Sequence, residues 1–238
     1  MDLLTIADSL SRTLRAVRFD GPVTHVYDPL EYARAGYAEY VRRYGTRRRE
    51  VILLGMNPGP WGMAQTGVPF GDVSMVRDWL GIDVDIDKPL REHPKKRVDG
   101  FTCPRGEVSG ARLWGWARDT YKAPKRFFAR FFVANYCPLA FLEASGRNRT
   151  PDRLPVAERA ALSAACDDAL RRTVGALRPT HVVGVGAFAA AQAERALDGI
   201  DVRVGRVLHP SPASPVANRG WAKQATAELA AQGILASR

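Results

Sequence analysis

Apolar positions along the chain fall into two rhythms. Short apolar runs, VILLG (51–55), FFVANY (131–136) and HVVGVG (181–186), read as strands buried on both faces, with DVRVGRVLH (201–209) as a fourth. Between and after them, apolar residues recur at helical spacing over 155–177, over AFAAAQAERAL (187–197) and over Trp221–Gln232. Strands alternating with amphipathic helices predict an α/β fold: a three-layer α/β/α sandwich around a central, mostly parallel four-stranded sheet. The first 45 residues predict a helix to about Arg18, an extended piece VTHVY and a helix from Pro29 to about Arg43. They read as an extension packed on one domain spanning 1–238. DVSMVRDWLG predicts a further helix, residues 82–107 show no periodicity, and Ser109 is placed as the N-cap of a helix through Tyr121.

Parallel sheets bind ligands at the carboxyl ends of their strands. Three loops there look unlike plain connectors. MNPGPWGMAQTGVPFG follows Gly55 and runs for 16 residues, CPLAF follows Tyr136, and PSPASPVANRG follows His209. Their convergence would bring Asn57, Asn135 and His209 to one crevice. His209 ends an apolar strand and is followed at once by Pro210-Ser211-Pro212, a stiff segment suited to holding an imidazole in place. His25 and His181 lie in strand-like segments and read as structural, while His93, in EHPKKR, is expected to be exposed. VGVGAF is neither GxGxxG nor a Walker loop, and GxSxG, HExxH and EF-hand patterns do not occur.

Charge narrows the partner. Lys and Arg outnumber Asp and Glu by 35 to 25, a net charge of +10, with basic clusters at 42–49, 95–97 and 122–130. A polyanion is the natural counterpart, because phosphates bind Lys and Arg with counterion release. Cys103, Cys137 and Cys166 stand far apart without a CxxC, which predicts buried reduced thiols and no metal or cluster site. The N-terminus carries Asp2 and lacks a basic region ahead of an apolar run, so an intracellular protein is expected, cytoplasmic and nucleoid-associated if bacterial.

With these residues in view, five segments become recognisable. GMNPGPWGMAQTGVPFGDVSMVRDWLGI, EVSGAR, FFVANYCPLAFL with SGRNRTP after it, VVGVG and HPSPASPVANRGW resemble the single-strand-selective monofunctional uracil-DNA glycosylases, in the family's order from about Val51 to Leu235. The resemblance implies hydrolytic excision of a flipped-out uracil, and of oxidised uracils such as 5-hydroxymethyluracil, leaving an abasic site. It assigns Asn57 and His209 to catalysis, Asn135 to reading the base, Phe70 to stacking on it, and Met56, Gly59 and Met63 to the substrate pocket. Gly59 stands where other uracil glycosylases carry a bulky aromatic, and so is expected to leave room at the 5-position. Pro210, Ser211, Pro212, Ala213, Ser214 and Arg219 fall in the loop that would wedge into DNA. Vertebrate members carry an arginine where this chain has Ala213. No cofactor or metal is implied, and the expected partner is uracil-containing DNA, single- or double-stranded, met by a monomer. On residue type alone Phe70 reads as core and Asn135 as a strand-end turn residue. Competing readings are a glycosylase of deaminated purines such as xanthine, a non-catalytic damage-binding protein, and a nucleotide-hydrolysing enzyme.

Overall fold

A computed structural model describes residues 2–236. Among these, seven strands form: β1 (Val23–Tyr27), β2 (Val51–Gly55), β3 (Phe131–Asn135), β4 (Ala140–Glu143), β5 (Asn148–Arg149), β6 (His181–Val185) and β7 (Arg203–Val207). The helices are α1 (Leu3–Leu14), α2 (Pro29–Tyr32), α3 (Arg34–Tyr44), α4 (Met63–Thr66), α5 (Val108–Tyr121), α6 (Pro124–Phe128), α7 (Val156–Leu177), α8 (Ala187–Ala196), α9 (Pro215–Asn218) and α10 (Trp221–Ala231). A π-helical turn spans Met75–Trp79.

The four apolar runs form one sheet in the order β3-β2-β6-β7, every pair parallel. Central β2 is buried along its whole length, as a strand covered on both faces must be. Helices α7 and α8, with α1 against α7, stack on one side, while α6 meets β3 and α10 meets β7 and α5. Trp114, Trp116, Phe127, Phe128, Phe131 and Trp221 fill the aromatic core beneath α5, α6 and α10. The α/β sandwich with a four-stranded parallel sheet thus matches the expectation from the apolar pattern.

The differences are local and have physical causes. The sequence pattern makes CPLAF all loop, yet Ala140–Glu143 is a strand that pairs antiparallel with β1 and β5 in a separate three-stranded sheet. Ala140, Phe141 and Leu142 are fully buried, so their backbone groups need partners, and VTHVY supplies them. His93 is not exposed but 1% accessible. Its backbone N–H donates to the Tyr27 hydroxyl at 2.7 Å, and its ring takes Lys95 N–H at Nδ1 and meets the Glu143 carbonyl at Nε2. The helix expected from Pro29 breaks at Ala33 into α2 and α3. Ser109 sits inside the first turn of α5, with Glu107 in the cap position. The two long loops also contain short helices, α4 and α9, the latter capped by the Ser214 hydroxyl, which accepts from Ala217 N–H.

The N-terminal segment is a foundation for the loop after β2. Asp28 accepts from Leu30 N–H and from the Ser11 hydroxyl, which ties the start of α2 to α1. Tyr32 donates its hydroxyl to the Ala64 carbonyl at 2.6 Å. Gly36 lets α3 pass so close to the Thr66 carbonyl that any Cβ would collide with it. Farther along α3, the buried Tyr40 hydroxyl donates to the Val133 carbonyl at 2.9 Å and accepts from Val133 N–H, which fixes β3 from behind.

Candidate active site

Parallel pairing of β2 with β3 sets Gly55 opposite Asn135. The pairing continues past the strands, with Tyr136 N–H on the Gly55 carbonyl and Cys137 N–H on the Met56 carbonyl, both at 2.9 Å. Asn57 and Asn135 therefore leave the same edge of the sheet. Gly55 has to be glycine, because the Asn135 amide oxygen and the Phe70 ring both pack on its Cα, with Phe70 Cζ 2.8 Å from where a Cβ would lie. Phe70 itself holds a left-handed backbone, φ 54°, which costs a bulky residue about 1–3 kcal/mol and persists only where neighbours enforce it. Those neighbours are Asp72 N–H, which donates to the Phe70 carbonyl at 2.8 Å, and Gly110 of α5, whose missing side chain lets the helix rest on that same carbonyl. His209 follows β7 and lies on Gly186, at the end of β6, where φ is 98°. The Phe70 and His209 rings stand 6.3 Å apart and 40° from coplanar.

Between these groups lies a cavity of about 380 Å³, within the usual size of small-molecule sites. The expected residues Met56, Asn57, Gly59, Met63, Phe70, Asn135, His209, Ser211 and Pro212 all line it. Four others do not. Pro210 is buried, Ser214 caps α9, and Ala213 and Arg219 are exposed on the loop beyond. Pro60, Glu107, Ser109, Asn148 and Thr150 complete the lining, and no pattern in the sequence marks them as site residues.

Polar groups in the cavity are oriented from outside it. Asn57 donates Nδ2–H to the Leu139 carbonyl at 3.1 Å, which leaves its amide oxygen as an acceptor. Asn135 gives one N–H to the Met63 sulfur at 3.3 Å and keeps its carbonyl and second N–H. Burial lowers the His209 imidazole from its ordinary 6.5, so the ring is neutral at pH 7. Asn148 Oδ1 is buried without a protein partner among the described residues. Burial pushes the Glu107 carboxyl up, an effect that the backbone N–H of Ser109 opposes and nearby Asp72 reinforces. The room expected beside Gly59 is taken: a Cβ there would collide with a Glu107 carboxylate oxygen.

Two further features adjoin the cavity. Lys96 Nζ and the Arg105 guanidinium lie over the Trp61 ring at 4.5 and 4.6 Å, and neither cation has an acidic partner among the described residues. Burial and the neighbouring Arg105 lower the Lys96 ammonium. Arg112 of α5 reaches the loop after His209, donating to the carbonyls of Pro210 and Ser211 and to Asn218 Oδ1. The sequence signal for both is faint: an aromatic inside a glycine-rich loop and the last residue of EVSGAR.

Comparison with known proteins bears directly on this geometry. Residues 42–230 match the family model described as the uracil DNA glycosylase superfamily. The chain is 50% identical over 228 residues to the single-strand selective monofunctional uracil-DNA glycosylase of Rattus norvegicus, covering 95% of this chain and 82% of that protein. It is 50% identical to the Bos taurus protein of the same description and 49% identical to that of Mus musculus, in each case over 95% of this chain. A crystal structure of SMUG2 from Pedobacter heparinus shares the fold, with a TM-score of 0.66 at 15% identity, covering 96% of this chain and 98% of that one.

Proposed function

Because the chain belongs to the single-strand-selective monofunctional uracil-DNA glycosylases, within the uracil-DNA glycosylase superfamily, we propose that it hydrolyses the N-glycosidic bond of deoxyuridine in DNA. The observation that carries this reading is the joint placement of an oriented Asn57 amide oxygen and a neutral His209 in one cavity with Asn135 and Phe70.

Breaking the bond leaves an oxocarbenium-like sugar and a uracil anion. An amide cannot take a proton at neutral pH, so Asn57 acts by holding water. With Nδ2–H committed to Leu139, its oxygen accepts from the attacking water and aims the oxygen lone pair at C1′. The water's proton leaves to solvent as the C1′–O bond forms. Neutral His209 donates a ring N–H to uracil O2, where negative charge grows. Stabilising charge that appears only in the transition state accelerates the reaction more than positioning a water does, so His209 contributes more than Asn57.

Selection of the base follows from the Asn135 amide. Its carbonyl accepts from N3–H and its free N–H donates to O4, whereas cytosine presents an acceptor at N3 and a donor at N4. A fixed amide therefore rejects cytosine through unpaired buried groups. Phe70 stacks on the flipped base. The Lys96–Trp61–Arg105 group offers unneutralised cations next to the cavity for the DNA backbone, in keeping with the net charge of +10.

A labelled oligonucleotide bearing one uracil tests the reading. Incubation with protein and EDTA followed by alkali should cut the strand at uracil, and omission of alkali should leave it whole. Cleavage without alkali would contradict monofunctional hydrolysis, and no cleavage under any condition would leave only damage binding.

A further inference from the structure

Among the described residues, Glu107 is the one acidic residue lining the cavity. Its side chain lies across two glycines. A Cβ at Gly62 would stand 2.9 Å from its Cγ, and one at Gly59 would meet its carboxylate at 3.0 Å from Cδ. Its backbone N–H donates to Asp72 Oδ2 at 2.8 Å, which fixes the root of the side chain at the head of α5. Among the described residues no lysine, arginine or histidine forms an ion pair with the carboxylate. A half-buried carboxylate without an ion-pair partner is penalised by burial, and the backbone N–H groups of Ser109 and Trp61 offset that only in part. That cost points to a substrate group it serves.

Ring geometry says which group. Around uracil, O2, N3, O4 and C5 follow in order. With His209 at O2 and Asn135 at N3 and O4, the next wall belongs to residues beyond Asn135. Met63 touches the Asn135 amide, and Gly59 binds into the same turn through Ala64 N–H on its carbonyl. The 5-position therefore faces Gly59 and whatever lies on it, namely the Glu107 carboxylate.

We propose that Glu107 is a specificity-determining residue for substituents at C5, accepting a hydrogen bond from a hydroxyl-bearing group such as 5-hydroxymethyl and disfavouring groups that offer only an acceptor. The inference rests on the glycosylase reading above. A carboxylate in the place of an aromatic ring gives a donor a charge-assisted partner and meets a 5-formyl oxygen with like partial charge.

The test compares single-turnover excision of uracil, 5-hydroxymethyluracil and 5-formyluracil from single-stranded oligonucleotides at about pH 8, where a carboxylate is ionised. Glu107→Gln keeps the shape and adds an N–H donor. It should lower the 5-hydroxymethyl to 5-formyl ratio by about tenfold or more, the worth of one charged hydrogen bond, over and above any change common to all three bases. Glu107→Leu removes the acceptor and should slow 5-hydroxymethyluracil by a larger factor than uracil. An unchanged ratio in Glu107→Gln, or a parallel loss on all three bases in both variants, would overturn the proposal and leave Glu107 a structural residue. Wild-type protein that releases none of the three bases would bring down the glycosylase reading itself, a distinct outcome.

Discussion

Two loops close the cavity, and they are built in opposite ways. The one after β2, residues 56–72, is an interior structure. Met63, Ala64, Gln65, Thr66 and Val68 are almost wholly buried. The Gln65 amide joins Pro60, Arg97 and Asp99, and the Thr66 hydroxyl bridges Gly71 and Val68. The loop after His209 instead exposes Pro212, Ala213, Pro215, Val216, Asn218 and Arg219. It hangs on Arg112, on Asn218 Nδ2–H to the Pro212 carbonyl, and on Trp221 Nε1–H to the Leu208 carbonyl at 2.6 Å. Contacts from many sides fix the first loop with the precision that the proposed water positioning and base reading require, whereas the second keeps an outward surface, which the proposal gives to DNA. Substitutions in the first should therefore change chemistry and stability together, and in the second DNA engagement alone.

The largest effect is expected where both loops meet the reacting atoms. His209→Leu should slow uracil excision by about 10²–10³-fold, the usual cost of losing one donor to developing charge. Asn57→Ala should cost less in the same single-turnover assay, and equal losses would break the division of roles. His209→Leu should also alter acid stability. Burial holds the folded imidazole below 6.5, so the unfolded chain takes the proton first as pH falls. Stability present above about pH 6.5 is thus lost on acidification in the wild type and not through this residue in the variant. Melting curves at pH 7 and pH 5 should show the gap widening in favour of His209→Leu.

Next in size is a change outside the cavity. Gly110→Ala places a methyl against the Phe70 carbonyl and 3.0 Å from Asp72 N. Overpacking of this kind costs about 1–3 kcal/mol, which at roughly 2–4 °C per kcal/mol lowers Tm by several degrees. It should also move Phe70 and slow excision by about 10–100-fold, since small misplacements are expensive in a preorganised site. Loss of Tm with unchanged rate would show that Phe70 is not held by α5.

How much of this is legible in the chain depends on the range over which each residue is determined. VILLG, FFVAN and HVVGV are strands because their own apolar runs demand burial on both faces, and the order of loops at their ends follows from parallel topology. β4 escapes because its partner β1 lies more than a hundred residues earlier and nothing in CPLAF marks it. His93 misleads for the same reason. Its charged neighbours in EHPKKR suggest solvent, while Tyr27 and Glu143, both remote in sequence, bury it. In EVSGAR the local pattern favours Ser109 as a cap, yet Glu107 and Arg112 are the residues that reach the cavity and the outer loop. Side-chain reach across elements is set by packing, which local pattern does not encode.

The outer loop should respond differently. Arg112→Ala removes three hydrogen bonds from it and leaves the inner loop untouched. Ordering a freed loop on binding costs about 0.5–1.5 kcal/mol per side chain, so excision from duplex should fall about three- to tenfold, with single strands affected less. Ala213→Arg tests the same surface by gain. An exposed arginine there should leave Tm unchanged and strengthen duplex binding with a salt slope steeper by about one. A fall in Tm in either variant would mean that the outer loop, too, is part of the core.

The smallest effect probes what supports the inner loop from behind. Asp28 begins the α2 turn whose Tyr32 holds Ala64, and burial raises its carboxyl from 3.8 to about 6 despite the Ser11 and Leu30 hydrogen bonds. The sign follows from proton uptake. Below pH 3.8 both folded and unfolded chains hold the proton, and stability is full. Between 3.8 and about 6 only the folded chain holds it, so stability falls as pH rises, and above about 6 the deficit is complete. Asp28→Asn keeps an amide oxygen for Leu30 N–H and cannot ionise. It should raise Tm at pH 7–8 by about 2–4 °C for each kcal/mol of penalty removed and leave Tm unchanged near pH 4. Uracil excision at pH 7.5 should stay within about twofold, because Ala64 and Tyr32 keep their contact and a preorganised site changes rate only when its geometry moves. If instead excision dropped while Tm rose, the charge on Asp28 would be tuning the inner loop, and its rigidity would have to be traced to the N-terminal helices and not to its own hydrogen bonds.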